Sequence, residues 1–112
     1  MIAVTHDSIS LRGVGVISIV QPDKGFRFTL DSLLLADFCR IHPRDSILEP
    51  GAGTGVVSLL LAKKFPRARL VADEAEPRAC ELLRRNIESN GLLSSVLAVD
   101  QDINRPLKKA VV

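Results

Sequence analysis

Seven consecutive residues, Glu49-Pro50-Gly51-Ala52-Gly53-Thr54-Gly55, constrain this chain more than any others. Three glycines at alternate positions supply positive φ and a bare backbone against which a ligand can lie. The residues before them, Ser46-Ile47-Leu48, read as a short buried strand. Those after them, Val56 to Lys64, are apolar at Val56, Val57, Leu59, Leu60 and Leu61 and read as a helix that stops before Pro66. A glycine turn from strand to helix is where an open α/β sheet receives its ligand. The rhythm then repeats. Leu70-Val71-Ala72 is a second strand. Pro77 suits the first position of a helix, where a missing N–H costs nothing. That helix runs to Asn90, with Gly91 as its left-handed cap and an apolar stripe at Cys80, Leu83 and Ile87. Val96 to Val99 is a third strand, ending at Asp100. Strand, helix, strand, helix, strand means parallel pairing through right-handed crossovers, which is half of a doubly wound sheet.

A different unit precedes this one. Ser8 to Leu11 and Val14 to Val20 flank Arg12-Gly13 as a hairpin or two edge strands, and Gln21-Pro22-Asp23-Lys24-Gly25 reads as the turn that ends them. Thr29 or Asp31 caps a helix through Leu33, Leu34, Leu35, Ala36 and Phe38, which Pro43 stops. The expected division is residues 1–44, a hairpin and a helix, and residues 45–112, a partial α/β sheet. A chain of 112 residues buries roughly 60–70% of its unfolded surface and folds without metal or disulfides. Cys39 and Cys80 are far apart and form neither a disulfide framework nor a zinc site. No apolar run reaches the ~20 residues of a membrane span, and from the composition of Met1 to Ser10 no signal peptide is expected. The expected compartment is the cytoplasm. Fifteen Lys and Arg against thirteen Asp and Glu give a net charge of +2 without a dense basic run. That permits a nucleic-acid partner without arguing for one.

The chemistry around the glycines narrows the ligand. A phosphate-binding P-loop needs a Lys-Ser/Thr pair after its last glycine, and none follows. A dinucleotide loop, Gly-x-Gly-x-x-Gly, puts its third glycine where Val56 stands. Glu49, just before the loop, repels a pyrophosphate but accepts a hydrogen bond from an ammonium group. These two residues argue against a nicotinamide-binding half-domain. The second strand ends at Asp73-Glu74, about where Rossmann-like sheets hold a ribose diol on a carboxylate. Asp100-Gln101-Asp102 follows the third strand, where an acid or amide accepts from an exocyclic amine. S-adenosyl-L-methionine carries an ammonium and a sulfonium and no phosphate, so its charge fits. A tight turn among solvated acids accounts for each residue singly but not for the ordered series.

On these residues the chain resembles a class I S-adenosylmethionine-dependent methyltransferase. The segment Gln21-Pro22-Asp23-Lys24-Gly25-Phe26-Arg27-Phe28-Thr29-Leu30-Asp31, with the Leu33-Leu34-Leu35-Ala36 helix after it, is similar to the bacterial adenine-N6 methyltransferases of valine tRNA. The likeness runs from about residue 8 to about residue 103. It implies an α/β fold that is the N-terminal half of a Rossmann-like doubly wound methyltransferase sheet, preceded by a β-hairpin and a helix. It implies that Gly51, Gly53 and Gly55 line the cofactor and that Glu49 sits by its amino group through water. Glu74 takes the ribose hydroxyls and Asp102 the adenine amine, with Asp73 and Asp100 as rivals. Phe28 and Asp31 belong to a lid over the cofactor.

The family's Asn-Pro-Pro-aromatic motif, which holds the target amine, does not occur in these 112 residues. No catalytic residue and no metal ligand is therefore assigned. The full-length family is an enzyme acting on RNA, while this chain alone is not expected to transfer a methyl group. The alternatives are a truncated, non-catalytic cofactor-binding module, or part of an rRNA guanine-N2 or protein glutamine methyltransferase. An open sheet edge beside the first parallel strand invites self-association.

Overall fold

The computed structural model describes residues 3–25 and 27–101. Strands β1 (Val4–Leu11) and β2 (Gly15–Pro22) form an antiparallel hairpin, registered from Val4 opposite Pro22 to Leu11 opposite Gly15. Helix α1 (Leu30–Phe38) follows, then β3 (Ser46–Pro50), α2 (Val56–Lys64), β4 (Arg69–Asp73), α3 (Pro77–Ser89) and β5 (Val96–Val99). The last three strands make one parallel sheet in the order β3-β4-β5. Each new strand adds on the same side of the last. Right-handed crossovers then put α2 and α3 on one face of the sheet. There Leu70, Ala72 and Val96 pack with Val56, Leu59, Leu60, Leu83 and Ile87 in the core, joined by Ile9, Ile17 and Ile19 of the hairpin. On the opposite face Leu48, Val71 and Leu97 align across the three strands, and Leu48 is 47% exposed.

Three sequence expectations shift. The hairpin is longer than Ser8–Val20: it starts at Val4 and takes in Gln21 and Pro22, which the sequence places in the turn. Pro22 is the final strand residue, a position where a missing donor is tolerated. β3 extends through Glu49 and Pro50 and is a half-exposed edge strand rather than a buried one. α1 ends at Phe38, well short of Pro43. Its last carbonyls are gripped from outside: Lys64 Nζ, at the end of α2, donates to Asp37 O at 2.7 Å, Cys39 O at 3.2 Å and Ala36 O at 3.4 Å. A cation is favoured at a helix C-terminus. At the other end of α1, Thr29 is the N-cap, and Ser32 Oγ accepts from Thr29 N–H at 3.4 Å.

Helix α3 is ended and anchored by its own sequence. Gly91 at φ +70° lets Gly91 N–H reach Glu88 O and Leu92 N–H reach Ile87 O, a Schellman closure with Leu92 and Ile87 both buried. Glu76 caps the start, accepting from Ala79 N–H at 2.7 Å. Two asparagines on its inner face then dock the hairpin. Asn90 Oδ1 accepts from Ser18 N–H (2.9 Å) and its Nδ2 donates to Ser18 O (2.7 Å). Asn86 does the same for Val20, at 2.8 and 2.9 Å. The spacing makes this possible: four residues of helix rise about 6 Å and two residues of strand about 6.6 Å. The helix side chains thus satisfy the β2 edge that β1 leaves open.

Asn86 is fully buried, and its Nδ2 also donates to Thr54 O at 2.9 Å. Asn86→Ala strands three main-chain groups away from water, each worth about 1–3 kcal/mol. We expect a loss of about 3 kcal/mol, read in chemical denaturation as a lower midpoint at unchanged slope.

Candidate functional site

β3 delivers Glu49 and Pro50 to the carboxyl edge of the sheet, and the glycine loop turns there into α2. Gly51, Gly53 and Gly55 have φ of +66°, +59° and +102°, so all three use the left-handed region that favours glycine. The loop is stapled to the end of β4: Ala52 N–H donates to Asp73 O at 2.8 Å, and Gly53 N–H donates to Glu74 Oε1 at 2.8 Å. Glu74 Oε2 accepts from Glu76 N–H at 3.0 Å, while Glu74 N–H bonds Val99 O of β5 at 2.9 Å. The carboxylate therefore holds the loop on one side and the start of α3 on the other. Two of its roughly four acceptor positions are used this way, which leaves acceptor capacity for hydroxyl donors.

Behind the loop, Glu49 is half-buried, and Ser58 Oγ of α2 donates to its Oε1 at 2.6 Å. Burial pushes the Glu49 carboxyl up from its ordinary value. The Ser58 bonds pull it back in part, and the like charge of Glu74 raises it further. A small cleft opens between this carboxyl, the loop and α1, lined by Phe28, Ser32, Glu49, Gly51, Ala52, Thr54, Gly55, Val56 and Val57. Its volume is about 60 Å³. A water needs about 10–15 Å³ of such space, so the cleft has room for a few waters or a small polar group. Anything larger extends along the open carboxyl edge past Glu74.

The residues singled out in the sequence fall into three groups. Phe28, Glu49, Gly51 and Gly55 line the cleft, and Gly53 and Glu74 are bonded to each other beside it. Asp31 lies in the first turn of α1, exposed and outside the lining. Asp102 lies outside the described residues. Of the two rivals, Asp100 is exposed at the end of β5. Asp73 is buried with Oδ1 accepting from Gln101 N–H at 2.9 Å, and its Oδ2 has no partner among the described residues. Sequence reasoning missed Ser58, Ser32 and Asn86. For Asn86 a signal existed: an amide on the apolar stripe of α3, one turn before Asn90. Burial raises the Cys80 thiol as well, which suits a core side chain. Among the described residues no group of His, Cys, Asp and Glu is placed to hold a metal ion, and no helix is long and apolar enough to cross a membrane.

A three-strand parallel sheet with its glycine loop and acids on one carboxyl edge defines a Rossmann-like, ligand-binding α/β fold. P. horikoshii TYW2 in complex with MeSAdo shares that fold at TM-score 0.68 and 22% identity, over 88% of this chain and 36% of that one. The methyltransferase small domain profile matches residues 9–111, and the chain belongs to that family. It is 33% identical over 89 residues to the tRNA1(Val) (adenine(37)-N6)-methyltransferase of Porphyromonas gingivalis ATCC 33277, covering 76% of this chain and 35% of that enzyme. It is 32% identical over 74 residues to ribosomal RNA small subunit methyltransferase C of Stutzerimonas stutzeri, covering 66% and 22%. The chain thus spans about a third or less of the length of these relatives.

The loop makes its own test. A Cβ on Gly55 would lie 2.6 Å from Leu83 Cδ1, whereas one on Gly51 meets nothing within 4 Å. Gly51→Ala carries only the left-handed backbone cost of about 1–2 kcal/mol. Gly55→Ala adds the clash between α2 and α3, a further ~1–3 kcal/mol. Thermal denaturation should rank Gly55→Ala clearly below Gly51→Ala.

Proposed function

We propose that this chain is the S-adenosyl-L-methionine-binding part of a methyltransferase acting on the N6 amine of an adenine in tRNA. The observation that carries the reading is the glycine loop bonded to Glu74, with the Glu49 carboxyl behind it in a cleft sized for a small polar group. The 33% identity to a tRNA adenine-N6 methyltransferase supports the substrate class. We divide the labour as the sequence suggests. Residues 1–44 supply the hairpin and the helix that wall the cleft, and residues 45–112 hold the cofactor.

When bound, S-adenosyl-L-methionine supplies a methyl group on a sulfonium, ready for in-line displacement. The chain's own residues bind and orient. Glu49 offers a negative charge to the amino-acid ammonium, and the positive dipole end at the start of α2 favours its carboxylate. Gly51, Gly53 and Gly55 leave bare backbone along the ribose. Glu74, already fixed by two main-chain donors, accepts the ribose hydroxyls. Asp102 takes the adenine amine. Phe28, on the α1 side, covers the head-group end, and Asp31, exposed in the first turn of α1, joins the lid only if the ligand draws α1 closer. Methyl transfer depends on such alignment rather than on an acid–base pair. The proposed partner is RNA and the proposed compartment the cytoplasm.

Calorimetric melting with S-adenosylhomocysteine tests the reading. At ~100 times its Kd the ligand stabilises a binding fold by about 2.7 kcal/mol, a shift of roughly 10 °C. A melting temperature that does not move at saturating ligand overturns the cofactor assignment. In the full-length enzyme, N6-methyladenine in the product tRNA supports the substrate, and N2-methylguanine in rRNA replaces it with the guanine-N2 alternative.

The pH dependence has a defined sign. A raised carboxyl takes its proton at a pH where an exposed glutamate, near 4.3, is still ionised. Affinity for the ligand's ammonium falls on acidification earlier than that ordinary value implies. For folding the sign reverses: the fold prefers protonated Glu49, so its contribution is present at low pH and is lost as pH rises through the raised value. Glu49→Gln should weaken binding about ten- to a hundredfold at neutral pH, the worth of a charged hydrogen bond, and flatten the acid limb in isothermal titration.

Self-association is the second part of the proposal. Among the described residues β3 has no strand on its outer side, and Leu48, Leu30, Leu34, Leu35 and Phe38 are exposed. An unpaired edge beside apolar surface favours pairing with another copy. Sedimentation should show a concentration-dependent dimer that Leu48→Lys weakens; a monomer at high concentration sinks this part alone.

A further inference from the structure

The run Gln21 to Phe28 holds a device that the cofactor reading does not use. Gln21 is 1% exposed although polar. Its amide is divided between two partners. Nε2 donates to Asp7 Oδ2 at 2.8 Å, and Oε1 accepts from Phe28 N–H at 3.0 Å. Only one of the two amide orientations serves both, because a carboxylate cannot donate and a main-chain N–H cannot accept. Asp7 is therefore what aims the carbonyl end of Gln21 at Phe28.

Asp7 is itself fixed. Its Oδ2 also accepts from Thr5 Oγ1 at 3.1 Å and from Arg27 Nη2 at 3.4 Å. The Gln21 bond first, then the Thr5 bond, hold the Asp7 carboxyl below its ordinary value. Arg27 Nη1 donates to Thr5 Oγ1 at 2.8 Å and to Pro22 O at 2.7 Å. Two successive residues are thus tied back to the hairpin, Arg27 through its side chain and Phe28 through its main chain. Phe28 lines the cleft and packs against the hydrophobic core. One residue before Gln21, Val20 is held by Asn86, which also holds Thr54 O of the glycine loop. An unbroken path therefore runs from Phe28 N–H through Gln21, Val20 and Asn86 to the glycine loop.

We propose that Gln21 is a positioning residue for the cofactor cleft: its amide, oriented by Asp7, sets Phe28 opposite the glycine loop before any ligand arrives. Arg27 and Thr5 act through Asp7. The affinity gain comes from preorganisation, since a wall already in place is not ordered at the ligand's cost. This rests on the cofactor reading for what fills the cleft, but the wall's position is measurable without ligand.

The chain contains no Trp and no Tyr, so Phe28→Trp installs a single indole emitter in the wall. In that background Gln21→Leu should shift the emission toward that of a solvated indole with no ligand present. In the Phe28 protein, Gln21→Leu should raise the calorimetric Kd for S-adenosylhomocysteine about tenfold, the worth of one buried hydrogen bond. The pair Asp7→Asn with Gln21→Glu exchanges donor and acceptor between the two positions. The amide introduced at position 7 can donate to the carboxylate introduced at position 21, and that carboxylate still accepts from Phe28 N–H, while the bonds from Thr5 Oγ1 and Arg27 Nη2 to Asp7 Oδ2 are given up. The pair should restore emission and affinity in part, above Gln21→Leu and below the unaltered protein. Unchanged emission in Gln21→Leu overturns the proposal, and so does an exchanged pair that behaves like Gln21→Leu. If the emission shifts and is rescued while no variant, nor the unaltered protein, binds S-adenosylhomocysteine, the positioning role stands and the cofactor reading falls.

Discussion

Asn86 bonds the N–H and C=O of Val20 and the C=O of Thr54 with one side chain, and the relation between the hairpin and the glycine loop follows from those three contacts. Val20 belongs to β2, Thr54 to the loop that turns β3 into α2, and Asn86 to α3. Each is buried, so each polar group must find a partner inside the protein. A carboxamide is the side chain that both donates and accepts in one plane. Placed on α3, it makes the hairpin a covering layer of the sheet's helical face rather than an appendage. Ile17 and Ile19 can then enter the same core as Leu59, Leu83 and Leu70.

The carboxyl edge is a different kind of problem, because it gathers Glu49, Asp73 and Glu74 beside the loop of three glycines. The fold separates the three acids by what they bond. Glu74 is held by main-chain donors from the loop and from the start of α3. Asp73 is turned to Gln101 N–H. Glu49 is left with a serine hydroxyl and a partly dry pocket, and its carboxyl rises accordingly. Three similar side chains thus acquire a loop-holding role, a β5-side role and a role facing the cleft. The difference lies in backbone donors and burial rather than in residue type.

The parallel unit was legible because its signals are local. Gly51, Gly53 and Gly55 between two apolar runs, Pro77 at a helix start and Gly91 at its end need no tertiary knowledge, and each is where the sequence puts it. The pairing of Glu74 with the glycine loop was legible in part, since spacing alone brings the end of β4 beside the loop that follows β3. Less legible were the interactions between segments far apart in sequence. Lys64 ending α1 and Asn86 and Asn90 reading the edge of β2 span 27 to 72 residues, and Gln21 reaches Phe28 over seven through a side chain that only burial fixes. No short-range pattern announces them. The expected turn at Gln21-Pro22 failed for the same reason, because a strand partner at Val4 and Thr5 outweighed the local turn propensity of Pro and Asp.

By itself the sequence determined the order of strands and helices, the parallel sense of the sheet, the glycine turn and the set of acids around it. Periodicity, capping residues and glycine φ freedom act over a few residues and leave little choice. The tertiary structure decided which polar side chains became internal partners and which became available to a ligand. That choice depends on burial, and burial exists only once the hairpin, the helices and the sheet have been brought together. Ser58 beside Glu49, Gln21 behind Phe28 and Asn86 beneath the loop owe their roles to that closure.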